Sequence, residues 1–316
     1  MLRIMTGPFK IAVLCNNRMA FPALQALHAA GRLCALGVPD KNPEVIEFCS
    51  MLSKQSGIPL FIMTSESCTG QIKNMMEISG ANTVFTMTFP WKISSEILAL
   101  YSGKFYNFHY GLLPEMRGAD PVFETIRSRS GQSGITVHVI DRDIDKGAII
   151  LKKNIPVTAE MTHGALCTHL SWLGANLLNE LLNLLQRNFL GTEQNEEMAR
   201  YYPKPGASDV CISWEKQDAE TIEALIRACN PWNKGAYTQW NGWNIRLVEA
   251  TSVEIANHHT GIPGTILSLD KENGLIVKCN DNSHLRLDIV YVEEGFMSGH
   301  KLSAFGLRYG EQFLNL

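Results

Sequence analysis

Phe105-Tyr106-Asn107-Phe108-His109 runs into Tyr110-Gly111-Leu112-Leu113-Pro114. Further on, Gly134-Ile135-Thr136-Val137-His138-Val139-Ile140 runs into Asp141-Arg142-Asp143-Ile144-Asp145-Lys146-Gly147. Lys104 to His109 has the apolar pattern of a short strand that ends on an amide and an imidazole. Tyr110 to Gly118 reads as a Pro/Gly loop, Pro121 to Arg129 has helical spacing, and Gly134 to Ile140 is a second, β-branched strand before an acidic turn. A carboxamide, an imidazole and a carboxylate therefore lie at strand ends or just beyond them, where open α/β sheets bind ligands.

The chain before this stretch supplies the rest of the sheet. Phe9 to Leu14 is a near-continuous apolar run, as in a strand buried on both faces. Phe21 to Ala30 is spaced as a helix with Pro22 in its first turn. Strands over Leu33 to Val38, Leu60 to Met63 and Thr83 to Met87 alternate with helices over Pro43 to Ser56, over Ser65 to Ser79, and from beyond Lys92 through Tyr101. This order predicts a doubly wound, mostly parallel α/β sheet. The first strand-helix turn lacks G-x-G-x-x-G and no P-loop occurs, which disfavours a dinucleotide or ATP enzyme. Thr162 to Asn188 carries leucines at helical intervals and predicts one long helix packed on the sheet.

From these patterns residues 1–190 form one domain and residues 191–205, polar with two prolines, a linker. Residues 206–316 change character. One helix, Ala219 to Cys229, precedes short strands divided by Asn241-Gly242, Pro263-Gly264, Glu272-Asn273-Gly274 and Asp281-Asn282, which predicts a small open β-barrel of the OB-like kind.

The 316 residues carry 28 Lys and Arg against 31 Asp and Glu, and from Gly206 onward the balance is 9 against 14. Neither part offers the basic surface of a general nucleic-acid binder. The eight cysteines are scattered without a C-x-x-C pair and read as reduced thiols of a cytoplasmic protein, with disulfides as the alternative. No segment approaches the length of a membrane span. Oligomeric state carries no signal.

Asn107, His109 and Asp145 are equipment for acyl transfer without a covalent enzyme step. A carboxamide can donate to an oxyanion without titrating. An imidazole can support that oxyanion or move a proton, and a carboxylate can hold the imidazole or take a proton from an attacking amine. The bland alternative is a structural strand-end Asn-x-His and an ordinary acidic turn. His138 reads as packed or hydrogen-bonded from its strand, His163 and His169 lie near the start of the long helix, and the pair His258-His259 lies in a polar loop. None has metal-ligand spacing, so no metal is expected.

Asn107-x-His109-x-Gly111-Leu112-Leu113-Pro114-x-x-Arg117-Gly118-x-x-Pro121, with Gly134-x-Thr136-x-His138 and Asp141-x-x-x-Asp145-x-Gly147-x-Ile149, resembles the formyltransferase family. The family includes methionyl-tRNA, glycinamide ribonucleotide and sugar-nucleotide enzymes. The resemblance implies a Rossmann-like catalytic domain, with Asn107, His109 and Asp145 as the catalytic triad and 10-formyltetrahydrofolate as co-substrate. It puts the folate against Phe89, Pro90, Trp91 and Ile93 and the loop with Asp141 and Asp143. It puts the acceptor near Tyr110, Gly111, Leu112, Arg117 and Gly118.

Trp214, Ile222, Arg227-Ala228, Pro231, Gly235-Ala236, Pro263-Gly264 and Cys279 resemble the carboxy-terminal domain of the methionyl-tRNA enzymes. Yet Val38-Pro39-Asp40-Lys41-Asn42-Pro43 leaves no room for the basic loop those enzymes insert, and the barrel is acidic. The expected acceptor is therefore a small amine, such as an amino-sugar nucleotide or a carrier-tethered amine, with methionyl-tRNA as the alternative. A hydrolase of the same donor, or an inactive folate-binding module, is the reading from another class.

Overall fold

The computed structural model describes residues 9–255 and 261–315; His258 and His259 lie outside the described residues. The chain groups into two compact units. One takes the chain through Pro121, then Ser133–Ile155 and Cys167–Tyr202. The other takes Val122–Gln132, Pro156–Leu166 and the chain from Pro203 on.

The first unit is built on β1 (Ile11–Cys15), α1 (Phe21–Ala29), β2 (Leu33–Pro39), α2 (Pro43–Ser56), β3 (Leu60–Met63), α3 (Cys68–Ser79), β4 (Thr83–Met87), α4 (Ser95–Leu100) and β5 (Phe105–His109). Its local signals are explicit. The Asn42 side chain accepts the Val45 N–H at the start of α2, Pro43 follows it, and Gly57 at φ 65° ends the helix in the left-handed region. Ser94 caps α4 by accepting the Ile97 N–H.

After β5 come β6 (Arg117–Gly118), α5 (Pro121–Arg127), β7 (Gln132–Val139), β8 (Ile149–Pro156), α6 (His163–Asn176) and α7 (Leu178–Gln186). The seven-stranded sheet has the order β3-β2-β1-β4-β5-β7-β8. β1 to β5 pair in parallel, and β7 joins β5 antiparallel. β1 and β4 are buried at every position, as their apolar runs require.

Three elements differ from the sequence reading. The long helix expected over Thr162 to Asn188 is two helices. Leu177, with ψ of −12°, separates them, although the backbone bonds Leu177 N to Leu173 O and Leu181 N to Leu177 O cross the break. β8 has no counterpart in the sequence reading, because Lys152, Lys153 and Asn154 hide its alternation on an exposed edge. The stretch expected as a linker is tied to the first unit. Thr192 exchanges backbone bonds with Ile149, and β9 (Tyr201–Tyr202) pairs in parallel with β6.

The second unit adds α8 (Ala219–Ala228), β10 (Ala236–Trp240), β11 (Trp243–Val253), β12 (Ile266–Asp270), β13 (Gly274–Lys278), β14 (His284–Val292) and β15 (Gly295–Ser298). Its antiparallel sheet runs β10-β11-β14-β13-β12, with β15 on β14. Residues near the end of the chain bridge the two sheet edges, Gln312 to Thr265 and Leu314 to Gln239. Phe313 between them is fully buried and stacks on Trp214 at 5.6 Å between centroids. Among the described residues all eight cysteines are free thiols, and no helix is long and apolar enough to cross a membrane.

Candidate functional site

Strand periodicity places Asn107 and His109 on one face of β5. The antiparallel register then sets His138 of β7 directly opposite Asn107. The loop after β7 brings back Asp145, which is buried and sits at φ 57°, a left-handed position. Its Oδ2 accepts the Gly118 N–H at 3.0 Å. Its Oδ1 lies 3.5 Å from His109 Nδ1 and 3.6 Å from His138 Nε2.

The hydrogen bonds around this group fix its polarity. Thr86 Oγ1 donates to Asn107 Oδ1 at 2.7 Å, so the amide nitrogen is the end that faces His138, 3.1 Å from its Nε2. A carbonyl can only accept. The 2.6 Å contact of His109 Nε2 with Met116 O and the 2.8 Å contact of His138 Nδ1 with Val139 O therefore place ring protons on those two nitrogens. In the neutral rings, His138 Nε2 accepts from Asn107 and His109 Nδ1 turns a lone pair toward Asp145.

Burial pushes the His109 imidazole below its ordinary value, against the pull of Asp145. Burial works to raise the Asp145 carboxyl, but His138, His109 and the Gly118 N–H together hold it below the usual carboxylate range. At rest the pair is thus a neutral imidazole beside a carboxylate, with room for one more proton on His109 Nδ1.

The structure brings Asn107, His109 and Asp145 together. His138, which the sequence reads as packed or hydrogen-bonded, joins the group through its contacts with Asn107 and Val139 O. Its signal was available in the alternation of Gly134-Ile135-Thr136-Val137-His138, once that strand is paired against Asn107.

Tyr110 is buried, and burial pushes its phenol up. Gly111 is needed for close approach, since a Cβ there would meet Pro121 Cβ at 2.5 Å and His109 Nε2 at 3.1 Å. Its carbonyl accepts from Thr136 Oγ1 at 2.7 Å. Leu112 is half-buried. Arg117, expected beside the acceptor, is buried with its guanidinium on Glu196 and Gln194. The hydrogen bond with Glu196 raises its pKa.

Among the residues expected to hold the folate, Phe89 and Trp91 meet edge to face at 5.4 Å and pack on the core that holds Ile93, Ile97 and Phe105. Pro90, Asp141 and Asp143 are exposed. A cavity of about 640 Å³ is lined by Lys92, Ile93, Ser94, Ser95 and Arg142. Among the described residues no group of three or more His, Cys, Asp or Glu could hold a metal ion.

Residues 51–182 match the formyl transferase family and residues 206–300 the formyl transferase C-terminal domain. A methionyl-tRNA formyltransferase of Halothermothrix orenii is 31% identical over 218 residues, 67% of this chain and 67% of the relative. The chain belongs to the formyltransferase family. A methionyl-tRNA formyltransferase of Legionella pneumophila (strain Corby) is 36% identical over 180 residues, and the match spans 56% of that relative's length. Among solved structures of the same fold is WlaRD, a sugar 3N-formyltransferase crystallised with dTDP and 5-N-formyl-THF. It has a TM-score of 0.65 at 18% identity, covering 88% of this chain and 97% of its own.

Proposed function

We propose that this chain moves a formyl group from 10-formyltetrahydrofolate to a primary amine by direct attack, through a tetrahedral intermediate. The observation that carries the reading is the convergence of Asp145 Oδ1 on the two imidazoles, beside an Asn107 amide whose nitrogen end is fixed. One amide hydrogen of Asn107 goes to His138, and the other is the donor offered to the formyl oxygen as it becomes an oxyanion. A neutral amine loses a proton as it attacks. Asp145, ionised at rest, takes it directly or through water, and His109 Nδ1 shares the charge before the proton passes to the leaving folate nitrogen. His138 keeps Asn107 in place by accepting one of its amide hydrogens on Nε2.

The loop from Phe89 to Ile93 and the loop from Asp141 to Asp145 are the proposed cradle of the folate. The cavity beside Ile93 supports this placing, since Lys92 and Arg142 on its wall can meet an anionic tail.

For the acceptor, the curated relatives named above favour methionyl-tRNA over the small amine expected from the sequence. The small amine keeps two observations of its own. Asp40-Lys41-Asn42 alone joins β2 to α2, and the chain from Gly206 carries 9 basic against 14 acidic residues, whereas Lys and Arg contacts to phosphate supply most nonspecific affinity for nucleic acid.

The test incubates the chain and formyl donor with charged initiator tRNA and, in parallel, with amino-sugar nucleotides, following formylated product and free formate. Formylation of the tRNA that weakens steeply with salt selects the first acceptor; salt-tolerant formylation of an amino sugar selects the second. Formate without formylated amine, or donor binding without any product, refutes the transferase reading.

A further inference from the structure

The catalytic loop is held from the polar stretch between Thr192 and Tyr202, through one side chain. Gln194 Nε2 donates to two backbone carbonyls of the loop, Asp145 O at 2.8 Å and Gly147 O at 2.9 Å. Both of its amide hydrogens are thereby spent on the turn that carries the carboxylate. Its Oε1 accepts from Arg117 Nε at 3.2 Å and Nη2 at 2.8 Å. Glu196 takes Nη1 at 2.9 Å and Nη2 at 2.7 Å. A guanidinium can only donate. Arg117 therefore forces the oxygen of Gln194 toward itself and the nitrogen toward the loop.

The residue after Arg117 completes the arrangement, because the Gly118 N–H binds Asp145 Oδ2. Backbone bonds hold both sides of this arrangement: Arg117 N to Arg200 O at 3.0 Å, Arg200 N to Pro114 O at 3.2 Å, and Thr192 N to Ile149 O at 2.9 Å. Asp145 needs such support. A non-glycine residue at φ 57° is in a sparsely populated conformation that persists only when its surroundings over-determine it. Glutamate at position 194 would turn oxygens toward both loop carbonyls, and asparagine would be one methylene short.

We propose that Gln194, oriented by Arg117 and Glu196, is a positioning residue that sets the Asp145 carboxylate against His109 and His138. The proposal rests on the reading of Asp145 as the proton acceptor in formyl transfer. It also gives Arg117 a role in place of acceptor binding: its charge is turned inward to orient an amide.

The experiment uses the full chain with Gln194→Glu, which keeps an acceptor for Arg117 and removes the donor to the loop, in the native and in the Asp145→Asn background. Tenfold or greater loss of kcat is expected in the native background, and less than a twofold change in the Asp145→Asn background, since residues that act through one group are not additive. The same factor in both backgrounds marks a merely structural role and overturns the proposal. Glu196→Gln, at a largely exposed side chain, serves as the second variant if Gln194→Glu does not fold. A two- to fivefold loss is expected there, again confined to the native background, and no loss overturns the proposal.

Titration of the His109 ring by NMR gives a readout independent of turnover. With Asp145 displaced, the His109 midpoint falls in Gln194→Glu, and an unchanged midpoint overturns the proposal. A native chain inactive with every amine, together with a shifted midpoint, sinks the formyltransfer reading and leaves the positioning geometry standing.

Discussion

Replacing Thr86 with valine keeps the shape of the side chain and deletes one hydroxyl, which makes it a direct probe of how Asn107 is oriented. Thr86 is buried, and its Oγ1 donates to Asn107 Oδ1 at 2.7 Å. Losing a buried partner of this kind leaves an acceptor unsatisfied, at a cost of about 1–3 kcal/mol. Turning the amide over would not relieve it. Oδ1 would then face His138 Nε2, a lone pair against a lone pair, because the proton of His138 is held on Nδ1 by Val139 O. The energy that selects the working orientation thus shrinks by about 1–2 kcal/mol, and tenfold in rate corresponds to about 1.4 kcal/mol. We expect kcat for formyl transfer to fall about five- to thirtyfold in Thr86→Val, with KM for the donor within about twofold, and the melting temperature to fall by about 2–4 °C per kcal/mol lost. Thr86→Ser should restore most of the turnover. Stopped-time product assays at saturating donor, with thermal unfolding followed by circular dichroism, measure both. A variant that melts lower but turns over within twofold of the native chain would refute the idea that Thr86 orients a catalytic amide.

Asn107→Ala should lose about a hundredfold or more in turnover, the usual scale for an oxyanion donor, and His109→Ala about a hundredfold or more, the usual scale for a group that moves a proton; near-native turnover by either purified variant would sink the assignment. Because burial lowers the His109 pKa, its neutral form is favoured on folding, so the stabilisation is present above about pH 6.5 and is lost as pH falls below it. Thermal midpoints between pH 7 and 5 should therefore slope less steeply in His109→Asn than in the native chain, and identical slopes would contradict that burial. Gly111→Ala forces a methyl group against Pro121 and His109; a loss of about 1–3 kcal/mol in stability is expected from such overpacking, read by chemical denaturation, with turnover reduced. Phe313→Ala removes a fully buried ring stacked on Trp214 and should cost about 3–5 kcal/mol, seen as earlier unfolding in urea.

Where the chain repeats a period, sequence and structure agree. The strands Leu60–Met63 and Thr83–Met87 and the helix Pro43–Ser56 coincide with their sequence ranges, because buried runs, Pro at a helix start and Gly past its end are local signals. Asn107 and His109 were legible for the same reason: both lie on one short strand. His138 was not, since its meaning depends on an antiparallel register that brings it opposite a residue 31 positions earlier. Arg117 shows the limit from the other side. Its charge suggested a ligand, but Gln194 and Glu196, 77 and 79 residues away, claim it from a polar stretch with no periodicity to reveal contact. The two-residue strands Arg117–Gly118 and Tyr201–Tyr202 are too short to leave any pattern at all.

The attachment of residues 192–202 to the sheet that bears Asn107 bears on how such proteins can be recombined. A chimera spliced at position 190 would keep every residue of the Asn-x-His strand and the acidic turn, yet import a foreign Gln194, Glu196 and Tyr201–Tyr202 from the other parent. A splice placed after Tyr202 carries them along. Exchange of carboxy-terminal modules therefore has a natural crossover beyond Tyr202, and libraries cut upstream of Thr192 would separate Gln194 and Glu196 from the Arg117 and the acidic turn they bind.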